Sequence, residues 1–261
     1  VQGLADVYAK MRLPFESEAA MQLNKEIFET MYYSALEQSC NISKKDGPYE
    51  TFKGSPLQKG TFQFDMWNVK PTKRYNWNNL KKKISKYGVR NSLLLALMPT
   101  ASTSQILGNN ECFEPFTSNI YSRRTLAGDF IIINKYLISD LSKLGIWSKD
   151  LKEKIILNNG SVQNIDEIPT ELKELYKTVW EMKQKNLITQ AADRAPYICQ
   201  TQSMNLFFEE PTHGQLTGAL FYGWKKGLKT GSYYIRTRPK VQAQQFTIDP
   251  SKHEVCESCS G

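Results

Sequence analysis

The chain has 261 residues, of which 40% are hydrophobic and 23% charged, so it is long enough and apolar enough to bury a real core. This composition excludes an intrinsically disordered chain, and no stretch approaches the roughly 18 apolar residues that a membrane helix needs. The net charge of +8 favours acidic partners such as nucleotide phosphates, nucleic acid or an acidic protein tail.

Cysteine usage favours a reducing, cytoplasmic setting. The five cysteines are an odd number, which argues against a secreted disulfide framework. The N-terminus has no basic region followed by an apolar core, so no secretory signal is expected. Because the chain begins at Val1, inside patterned sequence and without an initiator Met, we expect it to be a piece of a longer protein.

The first quarter of the chain predicts two helices separated by an ordered loop. Residues 15–38 have apolar side chains at four-residue spacing and contain Ser17, a good N-cap, so they should form a long amphipathic helix. Residues 44–71 are rich in Gly, Pro and polar side chains and should form a loop held by buried aromatic rings. A short helix is predicted over residues 77–87.

A strand, a tight turn and a helix are predicted next. Residues 89–98 are a β-like apolar run that stops at Pro99, and residues 100–107 suit a helix that ends at Gly108. Unpaired N–H groups at the start of a helix suit phosphate, and the hydroxyls of the turn add donors. A Ser/Thr-capped helix without a ligand is the alternative that these residues leave open. A Gly-rich loop with a Lys is absent, which disfavours a kinase or an ATPase.

The rest of the chain alternates short strands and helices. Strands are predicted over residues 129–134, 203–208 and 232–238, and helices over 151–158, 170–184 and 215–227. The helical periodicity is strongest in 170–184, where the apolar residues share one face. Beyond about residue 247 the chain is polar and unpatterned, and a flexible tail is expected there.

Tyr233 and Tyr234 are adjacent in the last predicted strand. Neighbouring residues of a strand point to opposite faces, so one tyrosine in the core and one at a surface is the ordinary structural interpretation. The functional alternative is that the two phenols are in contact and pass an electron and a proton between them.

Cys256 and Cys259 form a C-x-x-C pair near the end of the chain. Two thiols at this spacing can form a disulfide, attack another disulfide or hold a metal. His253 is a candidate third zinc ligand, but no fourth is nearby, so we expect no metal site. An unstructured terminal dithiol is best interpreted as a shuttle that reaches two places in turn.

Several blocks of the chain together resemble the large subunit of class I ribonucleotide reductases. The blocks are VQGLAD (1–6), RLPFES (12–17), MPTAST (98–103), ILGNNE (106–111) and the tyrosine-containing block 224–239. The resemblance covers essentially the whole chain, and the tyrosine-containing block is the most specific part of it.

The resemblance implies an α/β fold. The chain would be the C-terminal part of a ten-stranded α/β barrel with a small inserted α/β subdomain and a flexible C-terminal tail. The implied divisions are a barrel segment with the substrate-phosphate loop (1–110), the small subdomain (111–205), the final barrel helix and strand with the tyrosine pair (206–246), and the redox tail (247–261).

The resemblance also implies roles for individual residues. The match to the loop that holds the substrate diphosphate falls on Pro99, Thr100, Ala101, Ser102 and Thr103. Tyr233 and Tyr234 match the pair that relays a radical from the small subunit towards the active-site cysteine. Cys256 and Cys259 match the mobile dithiol that re-reduces the active-site disulfide and is itself reduced by thioredoxin or glutaredoxin.

The implied activity is the reduction of ribonucleoside diphosphates to 2′-deoxyribonucleoside diphosphates by thiyl-radical chemistry. The catalytic cysteines and the ATP and dNTP effector sites would lie upstream of Val1, so we expect the isolated chain to be inactive and to carry no cofactor. The implied partners are a second large subunit and the small subunit, which supplies the metal-tyrosyl radical; no membrane or nucleic-acid partner is expected.

Without the resemblance, charge and aromatic content leave two alternatives. One is a basic nucleic-acid-binding module, which requires a contiguous basic face lined by aromatic residues. The other is a protein-interaction module whose tail dithiol senses redox state.

Overall fold

A computed structural model describes residues 1–238 of the chain as a mixed arrangement of helices and short strands. The helices are α1 (Leu4–Lys10), α2 (Glu18–Asp46), α3 (Gln63–Met66), α4 (Trp77–Tyr87), α5 (Ala101–Leu107), α6 (Lys135–Lys143), α7 (Lys149–Leu157), α8 (Thr170–Leu175), α9 (Gln184–Arg194) and α10 (His213–Lys225). The strands are β1 (Ile120–Thr125), β2 (Gly128–Ile133), β3 (Leu206–Phe207) and β4 (Ile235–Arg236).

The strands form two small sheets. β1 and β2 pair antiparallel as a hairpin, and β3 and β4 pair parallel, with Leu206 opposite Ile235. Residues 1–238 therefore contain no closed barrel. None of the helices in this range is long and apolar enough to cross a membrane.

Helix α2 begins where the sequence predicts but ends later than predicted. Ser17 Oγ accepts a hydrogen bond from Ala20 N, which confirms the N-cap. The helix continues to Gly47, whose φ of +80° ends it. Its last turns are held by contacts that periodicity cannot reveal, because Ser43 Oγ donates to the carbonyl oxygen of Tyr87 at 2.6 Å.

The predicted helix over residues 77–87 is confirmed as α4. The preceding loop contains α3 and is held by aromatic contacts, as expected. Phe62 and Phe64 are buried, and the ring of Phe64 lies 4.7 Å from that of Trp77. Trp67, a third aromatic residue of this loop, is only half-buried.

Residues 89–98 do not form the predicted strand. They run beside residues 199–203 with a single parallel bridge, between Leu97 and Gln202. The backbone N–H of Leu94 donates to Cys199 Sγ instead of to a neighbouring carbonyl. An apolar run becomes a strand only when neighbouring segments complete the hydrogen-bond ladder along its edges. Here only one edge of the segment is paired, and only in part.

The single helix predicted over residues 170–184 is also wrong. α8 ends at Leu175, and α9 begins only at Gln184. Between them, the carbonyl oxygen of Tyr176 accepts from Asn119 Nδ2 at 2.8 Å, and Val179 N donates to Phe116 O at 2.9 Å. These tertiary hydrogen bonds replace the bonds of a continuous helix, so the local periodicity is overridden.

Two hydrophobic clusters stabilise the fold. The larger one includes residues of α2, α4 and α9, and the smaller one is formed mainly by residues 120–176. Asn119 lies at the smaller cluster with no exposed surface. Its Nδ2 donates to the carbonyl oxygens of Gly160 and Tyr176, and its Oδ1 accepts from Asn134 Nδ2 at 3.0 Å. One amide side chain therefore joins three separate segments.

We predict that Asn119→Ala lowers the free energy of unfolding by roughly 2–4 kcal/mol, because two carbonyls and an amide lose partners in a buried site. Urea denaturation monitored by circular dichroism measures the change. Asn78→Ala is the matched control, since Asn78 is exposed on α4 and its replacement should shift stability by only about 0.5 kcal/mol. Equal effects of the two substitutions would contradict the role of Asn119.

Candidate functional site

The segment predicted to bind phosphate, residues 99–103, forms the turn into α5. Thr100 has φ +54°, in the left-handed region, and its side chain makes no capping hydrogen bond to the helix. The side chain of Thr100 therefore does not cap the helix, contrary to the capping part of the alternative interpretation. The predicted end of the helix at Gly108 is confirmed, with φ +64°.

The three hydroxyls of this turn are not equivalent. Thr100 Oγ1 accepts from Cys112 N at 2.9 Å, and Thr103 Oγ1 donates to Gln2 Oε1 at 2.9 Å. Both threonine hydroxyls are thus engaged inside the molecule. Ser102 is exposed and its hydroxyl has no hydrogen-bond partner among residues 1–238, so it is the hydroxyl that faces solvent without a competing contact.

The two tyrosines lie in the segment that leads into β4, with their rings in contact. The ring centroids of Tyr233 and Tyr234 are 4.2 Å apart and the rings are tilted by 56°. Their side chains do not alternate between a core and a surface, since each residue is about half exposed. The ordinary structural interpretation of this pair is therefore wrong, and the geometry is that of two phenols in contact.

The backbone of the tyrosine pair is fixed by its neighbours. Tyr233 N donates to Met204 O at 2.6 Å, and Tyr234 N donates to Asn205 Oδ1 at 3.2 Å. Hydrogen bonding with Tyr234, together with the nearby phenol charge, raises the pKa of Tyr233.

Glu114 is a buried carboxyl group that the sequence interpretation missed. Its Oε1 accepts from Asn205 Nδ2 at 2.6 Å, and Asn205 in turn holds Tyr234. Burial raises the pKa of Glu114 to about 7, although the positive charge of Arg236 opposes this shift. The available signal in the sequence was an acidic residue between Phe113 and Pro115, because a carboxyl in an apolar context is a candidate perturbed group.

Residues 112–114, which we call the connecting segment, touch both predicted sites. Cys112 contacts Thr100 of the predicted phosphate-binding turn (residues 99–103, called the phosphate turn below), and Glu114 reaches the tyrosine pair through Asn205. The two predicted sites lie more than a hundred positions apart in the sequence. In the fold, one three-residue segment connects them.

A cleft of about 390 Å³ lies beside the connecting segment. It is lined by residues of several elements, among them Asp6, Glu111, Glu114, Tyr121, Arg123 and Arg236. Asp6 is engaged at its wall, where it accepts from Asn110 N at 2.7 Å and from Tyr136 OH at 3.0 Å. The cleft therefore has charged groups of both signs.

Cys256 and Cys259 lie outside the described residues. Within residues 1–238, no group of three or more His, Cys, Asp or Glu side chains is arranged to hold a metal ion.

Comparison with known proteins identifies related sequences and folds. The family model "Ribonucleotide reductase, barrel domain" matches residues 1–234. The chain is 62% identical to the ribonucleoside-diphosphate reductase large subunit of Dictyostelium discoideum, over 96% of this chain and 29% of that protein. It is 55% identical to the large subunit of Caenorhabditis elegans, over 100% of this chain and 35% of that protein. The chain thus spans about a third of the length of these relatives.

A solved structure has a related fold. The Actinobacillus ureae class Id ribonucleotide reductase alpha subunit superposes with a TM-score of 0.68 and is 29% identical. The match covers 91% of this chain and 38% of that one.

We predict that Glu114 makes stability depend on pH. Its folded pKa of about 7 is above the roughly 4.3 of an unfolded glutamate, so the folded state binds the proton more tightly. The free energy of unfolding should therefore fall as pH rises from about 4.5 to above 7, by up to roughly 3 kcal/mol. Urea denaturation at about pH 5 and about pH 8 measures this difference.

Glu114→Gln should flatten this pH dependence, because the amide keeps an acceptor for Asn205 and cannot ionise. The control is Glu171→Gln, since the Glu171 side chain is 78% exposed and its replacement should leave the wild-type slope. A Glu114→Gln profile parallel to that of the wild type would refute the assignment.

Proposed function

The chain belongs to the ribonucleotide reductase barrel-domain family, and from this premise we propose that it is the C-terminal part of the large subunit of a class I ribonucleoside-diphosphate reductase. In this proposal the whole protein reduces ribonucleoside diphosphates to 2′-deoxyribonucleoside diphosphates by thiyl-radical chemistry. The observation that carries the proposal is the ring contact of Tyr233 and Tyr234, 4.2 Å between centroids, at the end of the matched region.

The proposed fold of the whole protein is a ten-stranded α/β barrel that sequence outside this chain completes. Two features support it. The Leu97–Gln202 bridge and the β3–β4 pair are both parallel, as the strands of one barrel half would be. The apolar side chains of Phe221 and Trp224 on α10 are 57% and 70% exposed, so they are available for a covering segment.

In the proposed relay, the tyrosine pair passes a radical from the small subunit towards the active-site cysteine. One phenol loses an electron and a proton, and the neighbouring tyrosyl radical gains both. The transfer is supported by the contact between the rings and by the exposure of both, which leaves one side open to a partner. The metal-tyrosyl radical that starts the process would belong to the small subunit.

In the proposed substrate site, residues 99–103 bind the diphosphate. Exposed Ser102 supplies a free hydroxyl, and the first N–H groups of α5 point towards the turn. Thr100 and Thr103 hold the turn and do not themselves supply a free hydroxyl, since each is engaged by another residue.

The proposed redox partners act on the tail. Cys256 and Cys259, which lie outside the described residues, would re-reduce the active-site disulfide by thiol–disulfide exchange and would be reduced by thioredoxin or glutaredoxin. The proposed assembly is a large-subunit homodimer with the small subunit, in the cytoplasm.

We predict that Tyr233→Phe and Tyr234→Phe each reduce CDP reduction to the assay background, because phenylalanine keeps the ring but has no oxidisable phenol. The measurement uses the full-length protein with its small subunit. Binding of nucleotide and of the small subunit should stay at wild-type levels. Tyr87→Phe is the control, since Tyr87 ends α4 in a different part of the fold, and it should keep full activity. If both variants remained active, the tyrosine pair would have only a packing role and the proposed relay would be wrong.

We predict that Ser102→Ala raises the KM for CDP by about 3- to 10-fold, because one hydrogen bond to a charged phosphate is lost. Steady-state kinetics of the full-length protein measure it. The turnover number should change little, since the hydroxyl is distant from the reacting carbon of the ribose. An unchanged KM would argue against diphosphate binding at this turn.

A further inference from the structure

The conformation of the phosphate turn is unfavourable without outside support. Thr100 has φ +54°, and a β-branched side chain in the left-handed region crowds the backbone. Such a residue persists only where surrounding contacts determine its conformation. The side chain of Thr100 forms no hydrogen bond to its own helix, so the support comes from elsewhere.

Cys112 provides this support through both its backbone and its side chain. Its N–H donates to Thr100 Oγ1 at 2.9 Å, and the hydroxyl of Thr100 points back at Cys112 Sγ, 3.7 Å away. The thiol donates to the carbonyl oxygen of Met98 at 2.6 Å. The turn is therefore held on both sides of Pro99.

Cys112 is itself rigidly placed. It is 1% exposed, so water cannot replace its hydrogen bonds to the turn. Its own φ is +44°, so Cys112, like Thr100, has a backbone in the left-handed region. Its carbonyl oxygen accepts from Leu4 N at 3.4 Å, and the next residue, Phe113, lies under the guanidinium of Arg194 at 3.9 Å.

We propose that Cys112 is a positioning residue that holds residues 99–103 in the conformation that receives the substrate diphosphate. The proposal rests on the proposed function of this turn. Cys112 does not contact the substrate. It acts by fixing Thr100 and Met98, and thereby the direction of the first N–H groups of α5 and of the Ser102 hydroxyl.

The chemistry of the thiol contact distinguishes a positioning role from simple filling of space. The role requires an S–H or O–H donor for Met98 O, which alanine lacks and serine has. A serine Oγ lies closer to its own Cβ than a sulfur does, so the 2.6 Å separation would lengthen towards the usual O–H···O distance. Serine should therefore preserve the turn, although it is less apolar than cysteine.

The test measures CDP reduction by the full-length large subunit with its small subunit. For Cys112→Ala we expect KM to rise by about 3- to 10-fold while kcat stays within about twofold, because a misplaced turn weakens binding and leaves the radical chemistry intact. Cys112→Ser should restore a near-wild-type KM. Direct CDP binding should change in parallel with KM.

Cys40→Ala is the matched control. Cys40 is also a buried thiol, 3% exposed, but it lies on α2 and makes no contact with the turn. Its replacement should lower thermal stability and leave KM unchanged. A KM increase in this control as large as that in Cys112→Ala would assign the effect to loss of stability and would overturn the proposal.

The Ser102→Ala variant separates the two levels of inference. If Ser102→Ala raises KM and Cys112→Ala does not, the turn binds diphosphate but Cys112 does not position it. If neither variant changes KM, the turn is not the diphosphate site and both proposals fail. Should Cys112→Ala not fold, Thr100→Val removes the acceptor of the Cys112 N–H and must raise KM by a similar factor; an unchanged KM there overturns the proposal.

Discussion

The buried guanidinium of Arg194 is the constraint around which the described part of the chain is organised. It is 2% exposed and has no carboxylate partner within hydrogen-bond distance among residues 1–238; its donors go to Asn24 Oδ1 and Gln202 Oε1. Burial lowers the pKa of this arginine to about 10. Burying an unpaired cation costs several kcal/mol, so the neutral acceptors and the face of Phe113 must offset that cost.

The same network joins elements that are far apart in the chain. Asn24 on α2 donates to the carbonyl of Gln190 on α9, and Gln190 in turn donates to Phe15 O and accepts from Tyr8 OH. Helices α1, α2 and α9 are thereby held at one place. Because each polar group is satisfied by another, loss of one member leaves the rest unpaired in a site that excludes water.

The candidate site depends on this arrangement through the connecting segment. Phe113 is fixed under Arg194, and its two neighbours face different targets: Cys112 holds the phosphate turn, and Glu114 holds Asn205 beside the tyrosine pair. A buried cation thus packs against the middle residue of the connecting segment. The proposed substrate turn and the proposed radical relay then share one support, so a shift in it would affect both.

The sequence by itself determined those local elements whose causes are local. Helix α4, the Ser17 cap and the end of α5 at Gly108 follow from periodicity, capping and the freedom of glycine at positive φ, and the resemblance identified the family. Only the tertiary structure decided which groups meet. Asn119 accounts for the end of the periodic stretch after α8, the backbone N–H of Cys112 donates to the Thr100 hydroxyl, and the two tyrosine rings are in contact. In each case, partners distant in sequence compete with the local preference.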